Sequence, residues 1–219
     1  VIGNSTTAGR CDDVKIDSTP PVGNLVDFPD PSWLDGTREV AVSASDNQQL
    51  SSIAFRIDGT TAASYNQYSN TTTGNLWTLD TSGLSEGQHT LSMVTVDKAG
   101  NQATDSRLFI VDRTAPHAVS VTQPSWGATV AGITTIGVSA ADNVGVRALR
   151  YTVDSTNFAT NAPPVFAAAT SVTDTAALDT TTLTDGLHYV TVTALDAPAE
   201  ALPRSLTSQT HAIIVDNTA

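Results

Sequence analysis

Residues 42–58 read VSASDNQQLSSIAFRID and residues 138–154 read VSAADNVGVRALRYTVD, and the two stretches lie on each other without a gap. In both, apolar residues alternate with small polar ones, break at an Asp-Asn pair, and resume the alternation up to a closing Asp. A second pair behaves in the same way: LDTSGLSEGQHTLSMVTVD (79–97) lies on LDTTTLTDGLHYVTVTALD (178–196). A boundary signal occurs three times, as KIDSTPP at 15–21, IVDRTAP at 110–116 and IVDNTA at 214–219. Pro31-Ser32-Trp33 and Pro124-Ser125-Trp126 follow their boundaries at nearly equal offsets. Self-similarity at a fixed period is the sequence mark of a repeat architecture, so the chain reads as two copies of one unit of about 100 residues.

The aspartates make the period quantitative. From Asp17 they fall at Asp46, Asp58, Asp80, Asp97 and Asp112, in steps of 29, 12, 22, 17 and 15. From Asp112 they fall at Asp142, Asp154, Asp179, Asp196 and Asp216, in steps of 30, 12, 25, 17 and 20. Three steps agree within one residue, and the two that vary belong in connecting loops, where insertions are tolerated. The expected division is a leader or the end of a preceding repeat at 1–16, one domain at 17–112 and a second at 113–219. Ending just short of a third TAP, the chain reads as a mature product or a segment of a longer array.

Within each unit the apolar period is two. Glu39–Ala44, Ala54–Ile57, Thr90–Val96 and Arg107–Val111 all alternate, separated by turn clusters such as SDNQQ, DGTT and DKAGN. Half-buried strands of this length between turns predict two tandem seven-stranded antiparallel immunoglobulin-type β-sandwiches, all-β in class. The segment Ser155–Thr175, with Pro163-Pro164 inside it, reads as a loop plus an edge strand.

Composition agrees. Of 219 residues, 22 are acidic and 10 are Lys or Arg, a formal net charge of −12, and 19 of the acids are Asp against 3 Glu. Asp serves turns, caps and hard cations, whereas Glu serves helix surfaces. A strongly negative surface repels phosphate backbones and anionic lipid heads, so nucleic acid and membrane surfaces are poor partners. No run approaches the 18 or so apolar residues of a spanning helix, and VIGNSTTAGR is not a signal peptide. A single Cys11 makes no internal disulfide.

In such a sandwich the N-terminal segment, the B–C loop and the F–G loop meet at one pole. That gathers Asp17, Asp46, Asn47, Asp97 and Asn101 in the first unit, and Asp112, Asp142, Asn143 and Asp196 in the second. Converging carboxylates repel one another, and a hard divalent cation with oxygen ligands relieves the repulsion. The expectation is a structural Ca²⁺ site at this pole of each unit. The plainer reading is that each Asp caps its own turn through side-chain to backbone hydrogen bonds.

The pattern VDxTAP, SAxDNxGV and LDTTxLxDGxHxVTVxAxD resembles the bacterial immunoglobulin-like (BIg-type) tandem repeats of large surface adhesins and modular secreted proteins, over nearly all of 17–219. The resemblance implies an extracellular or cell-surface array in which Ca²⁺ at the linkers rigidifies a stalk, here through Asp112, Asp142 and Asp196 and through Asp17, Asp46 and Asp97. The units also differ. The first has DNQQL where the second has DNVGV, and the second has DAPAE where the first has DKAGN, so it lacks a counterpart of Asn101.

His89 and His188 share a repeat position and read as histidines closing the E–F corner by a hydrogen bond to backbone. Trp33 and Trp126 read as A–B turn residues packed under the loop, with sugar stacking as the rival. Asn4-Ser5-Thr6 and Asn70-Thr71-Thr72 fit the glycosylation sequon, a frequent triplet in a Thr-rich chain. No HExxH, GxSxG, GxxxxGK[ST] or GxGxxG is present, and a device used twice argues against one active site. The sequence therefore points to a non-enzymatic, extracellular, calcium-stiffened spacer of a bacterial adhesin-like surface protein. The alternatives are a carbohydrate- or receptor-binding accessory module and a self-assembling surface-layer or filament subunit. Corresponding partners are a surface glycan or protein, or identical subunits.

Overall fold

A computed structural model of the chain describes residues 16–161, 170–196 and 204–218. Cys11, Asn4, Pro163 and Pro164, and all of the leader but Ile16, lie outside the described residues. Backbone contacts group the chain into two compact units. One comprises the described residues up to Pro31 with Arg38–Leu79 and His89–Phe109, and the other Ser32–Thr37, Asp80–Gln88 and the described residues from Ile110 onward.

The first repeat forms β1 (Val22–Val26), β2 (Ser32–Leu34), β3 (Thr37–Ser45), β4 (Leu50–Ile57), β5 (Thr60–Asn66), β6 (Thr71–Asp80), β7 (Gly87–Asp97) and β8 (Gln102–Val111). They make a three-stranded sheet ordered β1-β3-β6 and a five-stranded sheet ordered β2-β8-β7-β4-β5. The second repeat forms β9 (Ala118–Gln123), β10 (Ala128–Val130), β11 (Ile133–Ala141), β12 (Ala148–Val153), β13 (Thr156–Asn161), β14 (Ser171–Asp179), β15 (Gly186–Leu195), β16 (Ser205–Thr207) and β17 (His211–Val215). It repeats the plan, with β9-β11-β14 facing β10-β17-β15-β12-β13 and β16 paired to β15. The all-β immunoglobulin-type sandwich read from the sequence is therefore the fold.

Two details differ from the sequence reading. Pro31-Ser32-Trp33 does not sit in an A–B turn but enters β2, where the chain leaves one sheet and joins the other, whereas Pro124-Ser125-Trp126 does lie in the turn between β9 and β10; in both repeats the bond to the Pro is cis, Asp30-Pro31 and Gln123-Pro124. Trp33 is consequently a half-buried residue of β2, a strand too short for its period to show in the sequence. Trp126 stays in the connection, 65% exposed, with its edge toward His211. In the second repeat the crossing lays β10 parallel to β17.

The period-two residues fill the space between the sheets. Val40, Val42 and Ala44 of β3 and Leu91 and Met93 of β7 are buried, as are Phe55, Leu79 and Phe109, and Trp77 stacks on Phe55 at 5.1 Å. In the second sandwich Ile136, Leu149, Tyr151, Val190, Val192 and Ile213 do the same. Gly23 on β1 is required by close approach, since a Cβ there would stand 2.2 Å from Thr95 Oγ1.

One hairpin recurs with its chemistry. Asp58-Gly59 joins β4 to β5 with φ of 49° and 82°, and Asp154-Ser155 joins β12 to β13 with φ of 47° and 71°. Positive φ at both central residues is the two-residue turn that matches strand twist, and it favours glycine at the second position. Asp58 and Asp154 are held there by their carboxylates. Oδ1 accepts from Thr90 N and Tyr189 N, and Oδ2 pairs with Nδ1 of His89 at 2.6 Å and of His188 at 2.5 Å. His188 Nε2 donates to Thr184 O at 2.7 Å, closing the corner as its position predicts. Acceptors face both ring nitrogens of His188, which favours its charged form, and the Asp154 hydrogen bond, opposed by burial, raises its pKa above the ordinary histidine value. Ser155 tolerates the left-handed conformation less well than Gly59. Ser155→Gly is therefore expected to raise stability by roughly 0.5–1 kcal/mol and Gly59→Ser to lower it by a similar amount, measured by urea unfolding; equal midpoints would contradict the turn assignment.

Candidate metal centres

The antiparallel plan brings the ladder residues to the poles as the sequence requires. In the first sandwich, ligand oxygens of Asp17, Asp46 and Asp97 all lie within 4.8 Å of one another. Asp46 Oδ2 accepts from Gln48 N and Gln49 N at 2.7 and 2.8 Å, which shapes the B–C loop and leaves Oδ1 buried without a hydrogen-bond partner among the described residues. Asp97 is hydrogen-bonded on both oxygens: Oδ1 accepts from Asn101 N at 2.8 Å and Oδ2 from Asn101 Nδ2 at 2.7 Å. Burial works to raise the Asp97 carboxyl, but these bonds and the neighbouring backbone N–H groups hold it below the usual range. Asn101 Nδ2 also reaches Asp17 O at 3.2 Å, so this amide clamps the N-terminal segment to the F–G loop. Asn47 is exposed, its Nδ2 at 3.5 Å from Asp17 Oδ1.

The second cluster is drier. Asp112, Asp142 and Asp196 are 6%, 0% and 1% exposed. In each, one oxygen ties down backbone: Asp112 Oδ1 accepts from Thr114 N, Asp142 Oδ1 from Val144 N and Gly145 N, and Asp196 Oδ1 from Arg204 N. In each the other oxygen, Oδ2, is buried without a hydrogen-bond partner among the described residues. The turn-capping reading and the converging-carboxylate reading thus describe different oxygens of the same side chains. Asp97 Oδ2 accepts from Asn101 Nδ2, whereas Asp196 Oδ2 has no hydrogen-bond partner among the described residues.

Charge accumulates accordingly. Burial, then the Asp142 and Asp196 carboxylates, push Asp112 up to about 7. Burial, with Asp142, also raises Asp196, although Arg204 N–H and the Arg204 guanidinium pull the other way. Two arginines that the sequence reading passed over stand at this pole. Arg204 Nη1 donates to Asp112 O at 2.8 Å, and buried Arg147 feels the Asp112 charge. Neither carries a periodic position, so no spacing points to them.

Asn143 turns elsewhere within the same compact unit, its Nδ2 donating to Glu86 Oε2. Glu86 also accepts from Arg113 N and from Thr114 Oγ1, both at 3.0 Å. Its repeat counterpart Asp185 accepts from Asn217 N at 2.8 Å and Thr218 Oγ1 at 3.1 Å. An E–F acid holding the residues after the last strand explains why each boundary signal carries Thr two places after Asp.

Two β-sandwiches with this strand order, repeated in tandem, define immunoglobulin-like modules. A family model described as Bacterial Ig domain matches residues 30–93 and 118–192, once in each repeat, and the chain belongs to that family. Such domains are typically non-catalytic accessory modules and commonly occur in extracellular or surface proteins. Among the described residues no helix is long and apolar enough to cross a membrane. Similar solved structures include the fibronectin(III)-like modules of Clostridium thermocellum CbhA, at 16% identity over 90% of this chain and 95% of that one, with a TM-score of 0.43. The human OSCAR ligand-binding domain is 9% identical over 88% and 97%, with a TM-score of 0.42. Dimeric latent PorU from Porphyromonas gingivalis is 17% identical over 92% of this chain and 21% of that one, with a TM-score of 0.36. Each is a likeness of fold only. No curated protein sequence matches the chain.

Because the folded state holds Asp112 protonated up to about 7, it binds protons that the unfolded chain has released above about pH 4, and stability falls as pH rises across that window. In chelator, the melting temperature of the second sandwich is expected to fall between about pH 4.5 and 7.5. Asp112→Asn keeps the shape and removes a repelled charge, so at pH 7.5 it should raise melting by roughly 3–5 °C and flatten the profile below pH 6.5. A lower melting temperature for this variant would show that the fold needs the charge itself.

Proposed function

We infer that the chain is an extracellular, non-enzymatic structural segment whose tandem immunoglobulin-like modules bind Ca²⁺ at the pole where each begins. The observation that carries the reading is the set of buried, unpartnered oxygens on Asp112, Asp142 and Asp196. A hard divalent cation takes carboxylate and carbonyl oxygens and turns their mutual repulsion into attraction. Asp112 follows the last strand of one repeat, whereas Asp142 and Asp196 stand in loops of the next. A cation held by all three ties the junction segment to the second sandwich. Asp17, Asp46 and Asp97 supply the same role for the first, with Asp46 Oδ1 as its open oxygen.

Extracellular modules hold Ca²⁺ with dissociation constants of about 10⁻⁴–10⁻³ M, so millimolar calcium adds on the order of 1 kcal/mol per site. That is small beside a domain's folding energy but acts on a junction whose alternative arrangements differ little in energy. The repeated plan suits a spacer of a surface protein of the adhesin kind, in which length and stiffness are the product.

Calorimetric titration is expected to show two calcium sites per chain. Asp97→Asn should remove one and Asp112→Asn the other. In small-angle scattering, chelation should broaden the distance distribution. No heat of binding, with scattering and melting unchanged by calcium, would overturn the reading.

A further inference from the structure

The pole of the first sandwich carries a further feature among the described residues. Beside the carboxylates, two adjoining depressions of about 410 and 340 Å³ share Gln49 and Lys98 in their walls. Among the described residues the first is also lined by Gln48 and Asp17, the second by Asn66, Gln67 and Tyr68. Here the B–C loop reads DNQQL; in the second repeat the same loop reads DNVGV and turns Val144 and Val146 inward, 8% and 1% exposed. A loop needed only to close the sandwich can be apolar, as the second repeat demonstrates. The first instead presents amides, and the Tyr68 ring beside them is 81% exposed.

Two of these amides are already oriented. Gln49 Nε2 donates to Tyr68 O at 2.8 Å, and Gln67 Oε1 accepts from Thr72 Oγ1 at 2.6 Å. Fixing the side chains in advance lowers the entropy cost of binding. Each amide keeps an atom for a ligand, an acceptor on Gln49 and a donor on Gln67. Adjacent donors and acceptors match the paired hydroxyls of a sugar, and an exposed aromatic face matches its C–H face. A peptide would want apolar sockets, and besides Tyr68 the apolar lining residues are Leu50, which is fully buried, and the small Ala99. A polyanion would meet Asp17, Asp46 and a chain of net charge −12.

We propose that this groove binds a neutral polysaccharide chain, with Tyr68 as the stacking platform and Gln48, Gln49, Gln67 and Lys98 as hydroxyl contacts. The test is affinity electrophoresis of the full chain, in millimolar calcium, through gels holding xyloglucan, galactomannan, arabinan or dextran, with polygalacturonate as the anionic control. At least one neutral polymer is expected to retard the chain. Tyr68→Ala should weaken that retardation about tenfold, Gln48→Ala should weaken it by a smaller factor, and Trp126→Ala should leave it intact. Tyr68 and Gln48 are exposed, so melting temperatures should match the parent's. Absence of retardation by every neutral polymer, retardation by polygalacturonate alone, or equal retardation of Tyr68→Ala would each overturn the proposal. Calcium titration of the same samples reports on the metal reading separately.

Discussion

A carboxylate has two oxygens, and at the poles of this protein the local loop occupies one of them. Asp46, Asp112, Asp142 and Asp196 each hold their own backbone with a single oxygen and keep the second in a buried place without a partner. The first oxygen shapes each loop, and in the second sandwich burial sets the Asp112 charge against those of Asp142 and Asp196. The repulsion this creates is visible in Asp112, whose carboxyl stands at about 7 because it is buried beside Asp142 and Asp196.

The two poles resolve the problem differently. In the first, Asn101 covers both oxygens of Asp97 and the cluster stays more open. In the second, no equivalent amide exists, and Arg204 and Arg147 supply positive charge from the side. At the opposite ends the plan is more uniform. The Asp58–His89 and Asp154–His188 pairs lock hairpin to corner, and Glu86 and Asp185 each hold the segment that follows the last strand.

The sequence alone determined the repeat and the sandwich class, and it placed Asp17, Asp46 and Asp97 together at one pole. Period-two alternation specifies which face of each strand is buried, and antiparallel order then dictates which loops share a pole, so Asp17 and Asp97 could be placed together across 80 residues of chain. The turn chemistry of Asp58-Gly59 was equally legible. Only the tertiary structure decided which oxygen of each Asp is occupied, because that depends on backbone N–H directions no spacing encodes. It also moved Trp33 from a turn into β2, where three residues give too little period to read. It brought Arg147, Arg204 and Glu86 to the second cluster and Tyr68 beside Gln48 and Gln49, since each comes from a loop whose course is set by the packing beneath it.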